Sequence, residues 1–181
     1  MWFVLVTVRL LLGCVLLVAG VSKVRSASAR RDFAASIRDL GLARGRTATV
    51  LGTGVAMAEV GVAALLVIPA PDGARHGIGP AAAAVLLSAF TAVVWRALRR
   101  GAPASCRCFG SGGGAFRRDH LWRNILLCLL AVGALAAELA PATPPVTLDG
   151  WLCAAFAAVV GAGLALPVIH WDDARLLAGR A

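Results

Sequence analysis

Five apolar stretches, each close to the length of a membrane-crossing helix, dominate this chain of 181 residues. They cover residues 2–21, 48–70, 78–98, 121–140 and 148–169. About 20 apolar residues in a helix are needed to cross the hydrocarbon core of a bilayer. Because lipid offers no partners to backbone amides, helices are the economical way for such segments to cross. The pattern therefore predicts an all-α membrane helix bundle.

Composition and charge exclude other classes of protein. Hydrophobic residues make up 60% of the chain and the mean hydropathy is +0.83, more apolar surface than a soluble domain of this size can bury. The net charge of +9 lies in clusters beside the apolar stretches, which indicates membrane orientation and argues against nucleic-acid binding. Arg9 is the first basic residue, inside the first apolar run, so we expect an uncleaved helix and not a signal peptide.

The basic residues predict the orientation in the membrane. Two segments carry a strong positive excess: residues 22–47 contain Lys23, Arg25, Arg30, Arg31, Arg38, Arg44 and Arg46, and residues 99–120 contain Arg99, Arg100, Arg107, Arg117 and Arg118. The positive-inside rule places both segments in the cytoplasm and the N-terminus outside the plasma membrane. Within the first segment, the spacing of Phe33, Ile37, Leu40 and Leu42 fits a short amphipathic helix on the membrane surface; the alternative is a solvated basic loop.

Cys106 and Cys108 are the residues best suited to chemistry, because they lie one residue apart in a glycine-rich segment. A disulfide between them would close a small, strained ring, and strained exposed disulfides tend to be oxidising. Nearby arginines would stabilise a thiolate. Two alternatives remain: a metal site completed by His120 or Cys128, whose ligand set is incomplete and irregularly spaced, or two idle thiols.

The other cysteines, Cys14, Cys128 and Cys153, lie within apolar spans, where a free cysteine packs as a small hydrophobe. Cys128 lies about two helical turns below the loop of residues 99–120 that contains the Cys-x-Cys pair. It is therefore the best candidate for a third, resolving thiol.

Glu59 is the most unusual single residue, because it lies near the middle of the second span. A carboxylate at that depth needs a partner or a polar cavity. Lys23 and Arg123 are the expected partners, and Asn124 could add a hydrogen bond, so these four residues are predicted to form an intramembrane polar cluster. A proton or quinone site and a structural ion pair both fit the pattern, and the structural ion pair is preferred.

Two further expectations concern packing. Arg9 either snorkels outward or pairs with Glu138, which falls near the same side of the membrane. Small residues recur at helix-packing spacing in the second and fifth spans: Gly52, Gly54, Ala58 and Gly61, and then Gly161, Gly163 and Ala165. These positions are predicted to let helices approach closely.

Four short motifs occur in an order that resembles a known family. They are Gly20-Val21-Ser22-Lys23-Val24, Glu59-Val60-Gly61, Cys106-Arg107-Cys108-Phe109-Gly110 and Arg123-Asn124. Over residues 5–140 this order resembles the methylamine utilisation protein MauE family, within the wider DoxX-like group of small membrane proteins. The Cys-x-Cys-Phe-Gly element is the most specific of the four.

The resemblance implies a four-helix transmembrane domain over residues 1–140, followed by an additional transmembrane helix and short tail over residues 141–181. It also implies a role in redox or disulfide maturation of a partner, as in the maturation of methylamine dehydrogenase. Cys106 and Cys108 would then exchange disulfides with a thioredoxin-like protein or a secreted redox protein. That role implies thiols at the outer face, whereas the charge pattern places them inside.

Other functions stay open beside this one. The main alternative is a non-enzymatic membrane subunit or export scaffold with structural cysteines, and a transporter is a weaker option. No metal is expected, a quinone is the one cofactor that the polar cluster suggests, and membrane lipid is the expected surrounding.

Overall fold

The computed structural model describes residues 2–68, 77–100, 118–139 and 148–169, and all regular structure within them is helical. Six helices follow in order: α1 Trp2–Val24, α2 Ala27–Asp39, α3 Gly45–Val67, α4 Ile78–Arg99, α5 Arg118–Leu139 and α6 Leu148–Ile169. Among the described residues, α1, α3, α4 and α5 are long and apolar enough to cross a membrane. The last helix contributes a shorter apolar stretch, Ala155–Ile169. The predicted all-α membrane fold is confirmed.

Helix α1 lies at the centre of the bundle. It packs against α3 and α6 and also contacts α5 and α2, while α4 packs against α5 and α3. The core is built from fully buried aliphatic side chains that include Leu12, Val15, Leu16, Leu66, Leu87 and Leu127. Apolar side chains also cover the outside, with Val50, Val85 and Leu129 among the exposed ones. Such an outer surface suits contact with lipid acyl chains.

The bundle has two distinct ends, because successive membrane-crossing helices run in opposite directions. Arg9 near the start of α1 bonds to Leu66 near the end of α3, which establishes their antiparallel packing. We call the end that holds the start of α1 the N-terminal end. The opposite end, called the basic end, holds the end of α1, the start of α3, the end of α4, the start of α5 and the end of α6.

Helix α2 lies at the basic end. The Ser26 side chain caps it by accepting a hydrogen bond of 3.0 Å from the backbone N–H three residues on. Phe33 and Ile37 form its buried face and contact the surface of α3 at Gly52. The prediction of a short amphipathic helix is confirmed and the solvated loop is wrong. Leu42, which the sequence pattern also assigned to the apolar face, lies beyond the helix and is exposed.

The small residues named from the sequence divide into two groups. Gly52 faces α2, and a Cβ at Gly161 would collide with the carbonyl oxygen of Thr7, so these two glycines allow close helix packing. A Cβ at Gly54 or Gly61 would meet open space within the described structure. The spacing of small residues along a helix therefore does not show which of them face a neighbouring helix.

Candidate functional site

A fully buried ion pair joins α1 to α3. The ammonium of Lys23 lies 2.6 Å from Oε1 and 2.7 Å from Oε2 of Glu59, and it also donates to the Ala19 carbonyl at 3.1 Å. The two side chains are 1% and 0% exposed. Because one cation satisfies both carboxylate oxygens, neither charge faces apolar surroundings without a partner.

Close approach of the two helix backbones makes this contact possible. Gly20 lies on the α1 face that meets α3, where an added Cβ would come within 2.9 Å of the Ala56 carbonyl oxygen. The same Cβ would lie 3.1 Å from the Cβ of Glu59. Glycine at this position therefore lets α1 and α3 pack closely enough for Lys23 to reach the Glu59 carboxylate. The Lys23 side chain extends back along α1 to do so.

Two aromatic rings complete the surroundings of the Lys23 ammonium. The ring centroids of Phe33 on α2 and Phe90 on α4 lie 5.3 and 5.8 Å from Nζ, within cation–π range. The pair thus joins four helices, α1 to α4, at one point. Neither ring was predicted from the sequence as a partner of Lys23, although Phe33 was assigned to an apolar helix face.

The structure pairs Glu59 with Lys23, one of the two partners named from the sequence. Arg123 contacts α6 by donating to the Val168 carbonyl at 3.4 Å. Asn124 beside it is 4% exposed, and its side-chain oxygen has no hydrogen-bond partner within the described chain. That all four residues form one polar cluster remains a prediction.

A second ion pair lies at the N-terminal end. The Arg9 guanidinium lies 2.7 Å from Glu138 on α5 and donates to the Leu65 and Leu66 carbonyls at the end of α3. The second carboxylate oxygen of Glu138 accepts a hydrogen bond of 2.5 Å from the backbone N–H of Gly77, at the start of α4. Of the two expectations for Arg9, pairing is confirmed. One ion pair thus caps two helix ends.

The Cys-x-Cys segment lies outside the described residues, so its geometry and its roles remain predictions. The helices on either side of it are described, since α4 ends and α5 begins at the basic end. Cys128 is partly buried, and its sulfur lies 3.2 Å from the Ser88 hydroxyl. Cys14 is also a free, partly buried thiol. No group of three metal-ligating side chains occurs among the described residues.

Charge is distributed unequally between the two ends. The described arginines at the basic end that are exposed to solvent or headgroups are called the basic collar: Arg25, Arg30, Arg31, Arg38, Arg44, Arg46, Arg96, Arg99 and Arg100. The charged side chains described at the N-terminal end are the mutually paired Arg9 and Glu138. Among described side chains the two ends therefore differ strongly in net charge.

Comparison with known proteins adds one finding. The sequence model of the family described as methylamine utilisation protein MauE matches residues 1–137, which covers α1 to α5 up to the last turn of α5 and includes the Cys-x-Cys segment. No curated protein and no solved structure matches the chain.

Proposed function

This chain belongs to the methylamine utilisation protein MauE family, and we propose that it assists redox maturation of a partner protein through Cys106 and Cys108. The observation that carries the proposal is their position in the chain. They lie between two helices that are anchored in the bundle and that both reach the basic end. By sequence these thiols lie outside the apolar spans, and the proposed exchange requires that another protein reach them.

The proposed chemistry is thiol–disulfide exchange. A thiolate of a thioredoxin-like dithiol attacks one sulfur of the Cys106–Cys108 disulfide, forming a mixed disulfide and releasing the other cysteine as a thiolate. The second thiol of the partner, as its thiolate, then attacks the mixed disulfide. Two electrons pass to the segment, which becomes a dithiol, while the partner becomes a disulfide; the reverse sequence oxidises the partner.

The rest of the molecule supports this step by anchoring the two helices that flank the segment. Helices α4 and α5 pack against each other along their length, and Phe90 of α4 faces the buried Lys23–Glu59 pair. The buried pair is satisfied within the bundle, which favours a structural role for it over a proton or quinone site. Arg99 and Arg100 at the end of α4 contribute positive charge close to the cysteines in sequence, and such charge favours a thiolate.

We also propose that the protein lies in the plasma membrane with the N-terminus outside and the basic end in the cytoplasm. The basic collar supports this orientation, because cytoplasmic segments next to membrane spans carry the excess of arginine and lysine. The exchange partner would then be a cytoplasmic thioredoxin-like protein.

Trapping of the mixed disulfide tests the function. In cells, Cys108→Ser should leave Cys106 able to form a mixed disulfide that cannot be resolved within the segment. It should appear as a larger, reductant-sensitive species on a non-reducing gel and carry the partner. Cys14→Ala, which removes a thiol within α1, is the matched control and should not change the trapped species.

The double variant of Cys106 and Cys108 to serine decides between the proposal and its rival. Loss of partner maturation with unchanged membrane insertion supports redox exchange. If the double variant supports normal maturation of the partner, the redox proposal fails. The protein is then a non-enzymatic membrane subunit or assembly scaffold.

A further inference from the structure

Apart from Arg99 and Arg100, the basic collar has no part in the proposed exchange step, and we propose that the collar binds the headgroups of anionic phospholipids. Three properties of the described residues suit the collar to this role: its depth, the direction in which its arginines face, and the small number of acidic side chains that balance it.

Two exposed tryptophans mark the depth of the membrane surface. The Ser88–Cys128 contact fixes the register of the antiparallel helices α4 and α5. Trp95 lies seven residues beyond Ser88 and Trp122 lies six residues before Cys128, so their depths differ by only about 1.5 Å. Both are exposed, as tryptophans at a membrane–water interface are. The end of α4 beyond Trp95 therefore lies at headgroup level.

Arginines of the collar occupy that level. The Arg99 guanidinium stacks 4.6 Å from the ring centroid of Trp95. This contact holds the charge of Arg99 at the depth of Trp95. Arg96 and Arg100 on the same helix end are exposed. A guanidinium at this level, with five N–H donors, suits the oxygens of a phosphodiester.

Helix α2 places further arginines on the side away from the bundle. Its buried face, with Phe33 and Ile37, rests on the membrane-crossing helix α3. Arg31 and Arg38, seven residues and so about two turns apart, lie on the opposite, exposed side. Because α3 covers the apolar face of α2, these two arginines stay exposed and available to lipid headgroups.

Among the side chains that the structure describes, the charge of the collar is largely unbalanced. The acidic side chains described at the basic end are Asp32 and Asp39, since Glu59 lies deeper in the bundle and is paired with Lys23. The nine collar arginines therefore face two remaining carboxylates. Zwitterionic headgroups carry no net charge to offset this excess, whereas anionic headgroups do. In basic clusters next to membrane spans, each arginine near the surface raises the binding constant for anionic lipid roughly fivefold.

Competition between two lipids tests the proposal. The full chain in detergent is mixed with equimolar phosphatidylglycerol and phosphatidylcholine of identical acyl chains, and retained lipid is counted by native mass spectrometry. We expect the parent chain to retain more phosphatidylglycerol than phosphatidylcholine. The ratio of retained phosphatidylglycerol to phosphatidylcholine should fall at least fivefold in the double variant Arg31→Gln with Arg38→Gln. The same positions changed to lysine should keep most of the preference, because lysine preserves the charge.

Further measurements separate the proposal from its competitors. Asp39→Asn, on the same helix, should raise the ratio, and thermal unfolding of every variant should match the parent chain. Soluble glycerol phosphate should not displace the lipid. An equal ratio in the parent chain, or an unchanged ratio in the glutamine variant, overturns the proposal. Displacement of the lipid by glycerol phosphate also overturns it. Loss of partner exchange in the glutamine variant, with lipid retention intact, overturns it too and would make the collar a docking surface for an acidic protein.

Discussion

Replacing Glu59 by glutamine should destabilise the bundle strongly, because it leaves the Lys23 ammonium buried without a counter-charge. The pair has both carboxylate oxygens within 2.7 Å of the cation, and both side chains are essentially unexposed. Removing one partner of such a pair costs about 3–5 kcal/mol. That is a decrease of about two to three and a half orders of magnitude in the ratio of folded to unfolded protein.

This loss is large enough to distinguish a charge effect from the loss of an ordinary hydrogen bond. Hydrogen bonds between helices within a bilayer contribute only about 0.6 kcal/mol on average. Thr91→Val is the control for a neutral bond, because it removes a single hydrogen bond of 2.7 Å within α4, from Thr91 to the Leu87 carbonyl, with little change in side-chain shape. We expect Thr91→Val to cost less than about 1 kcal/mol.

A double-mutant cycle completes the test. Lys23→Met alone should be as damaging as Glu59→Gln, whereas the two changes together should cost less than the sum, because no uncompensated charge remains. The free energy of unfolding would be measured by denaturation in detergent micelles, with folded yield from size-exclusion chromatography. A loss below about 1 kcal/mol for Glu59→Gln, or strictly additive losses, would refute the ion-pair argument.

Three further outcomes follow from the same structure. Gly20→Ala should lower the melting temperature, because its Cβ would come within 2.9 Å of a backbone oxygen of α3, while Gly54→Ala, with open space around it, should have little effect. Glu138→Gln should loosen the N-terminal end, because it removes the counter-charge of Arg9; faster hydrogen exchange of the Gly77 amide would show this, and unchanged exchange would contradict it. A membrane-impermeant thiol reagent on intact cells should leave the reduced Cys-x-Cys segment unlabelled, and labelling would reverse the proposed orientation.

The candidate site was predictable in part from the sequence. A carboxylate in an apolar span must find a partner, so Glu59 and its two basic candidates could be named without coordinates. The choice of Lys23 depends on the register of α1 against α3, which Gly20 permits by close backbone approach. The rings of Phe33 and Phe90 could not be assigned in this way, because they come from helices whose positions relative to Lys23 depend on contacts distant in sequence.

The positions of the four described membrane-crossing helices were determined by the sequence itself, because apolar length and the lack of water in the bilayer act on each segment separately. The fifth predicted span is described as a helix with a shorter apolar stretch. The charge difference between the two ends is equally local, since it depends only on which residues flank each span. Tertiary structure alone decided that Arg9 and Glu138 cap the ends of α3 and α4. It also decided which glycines lie at helix crossings. Such contacts depend on crossing distance and rotation between helices, which helical periodicity within one segment does not encode.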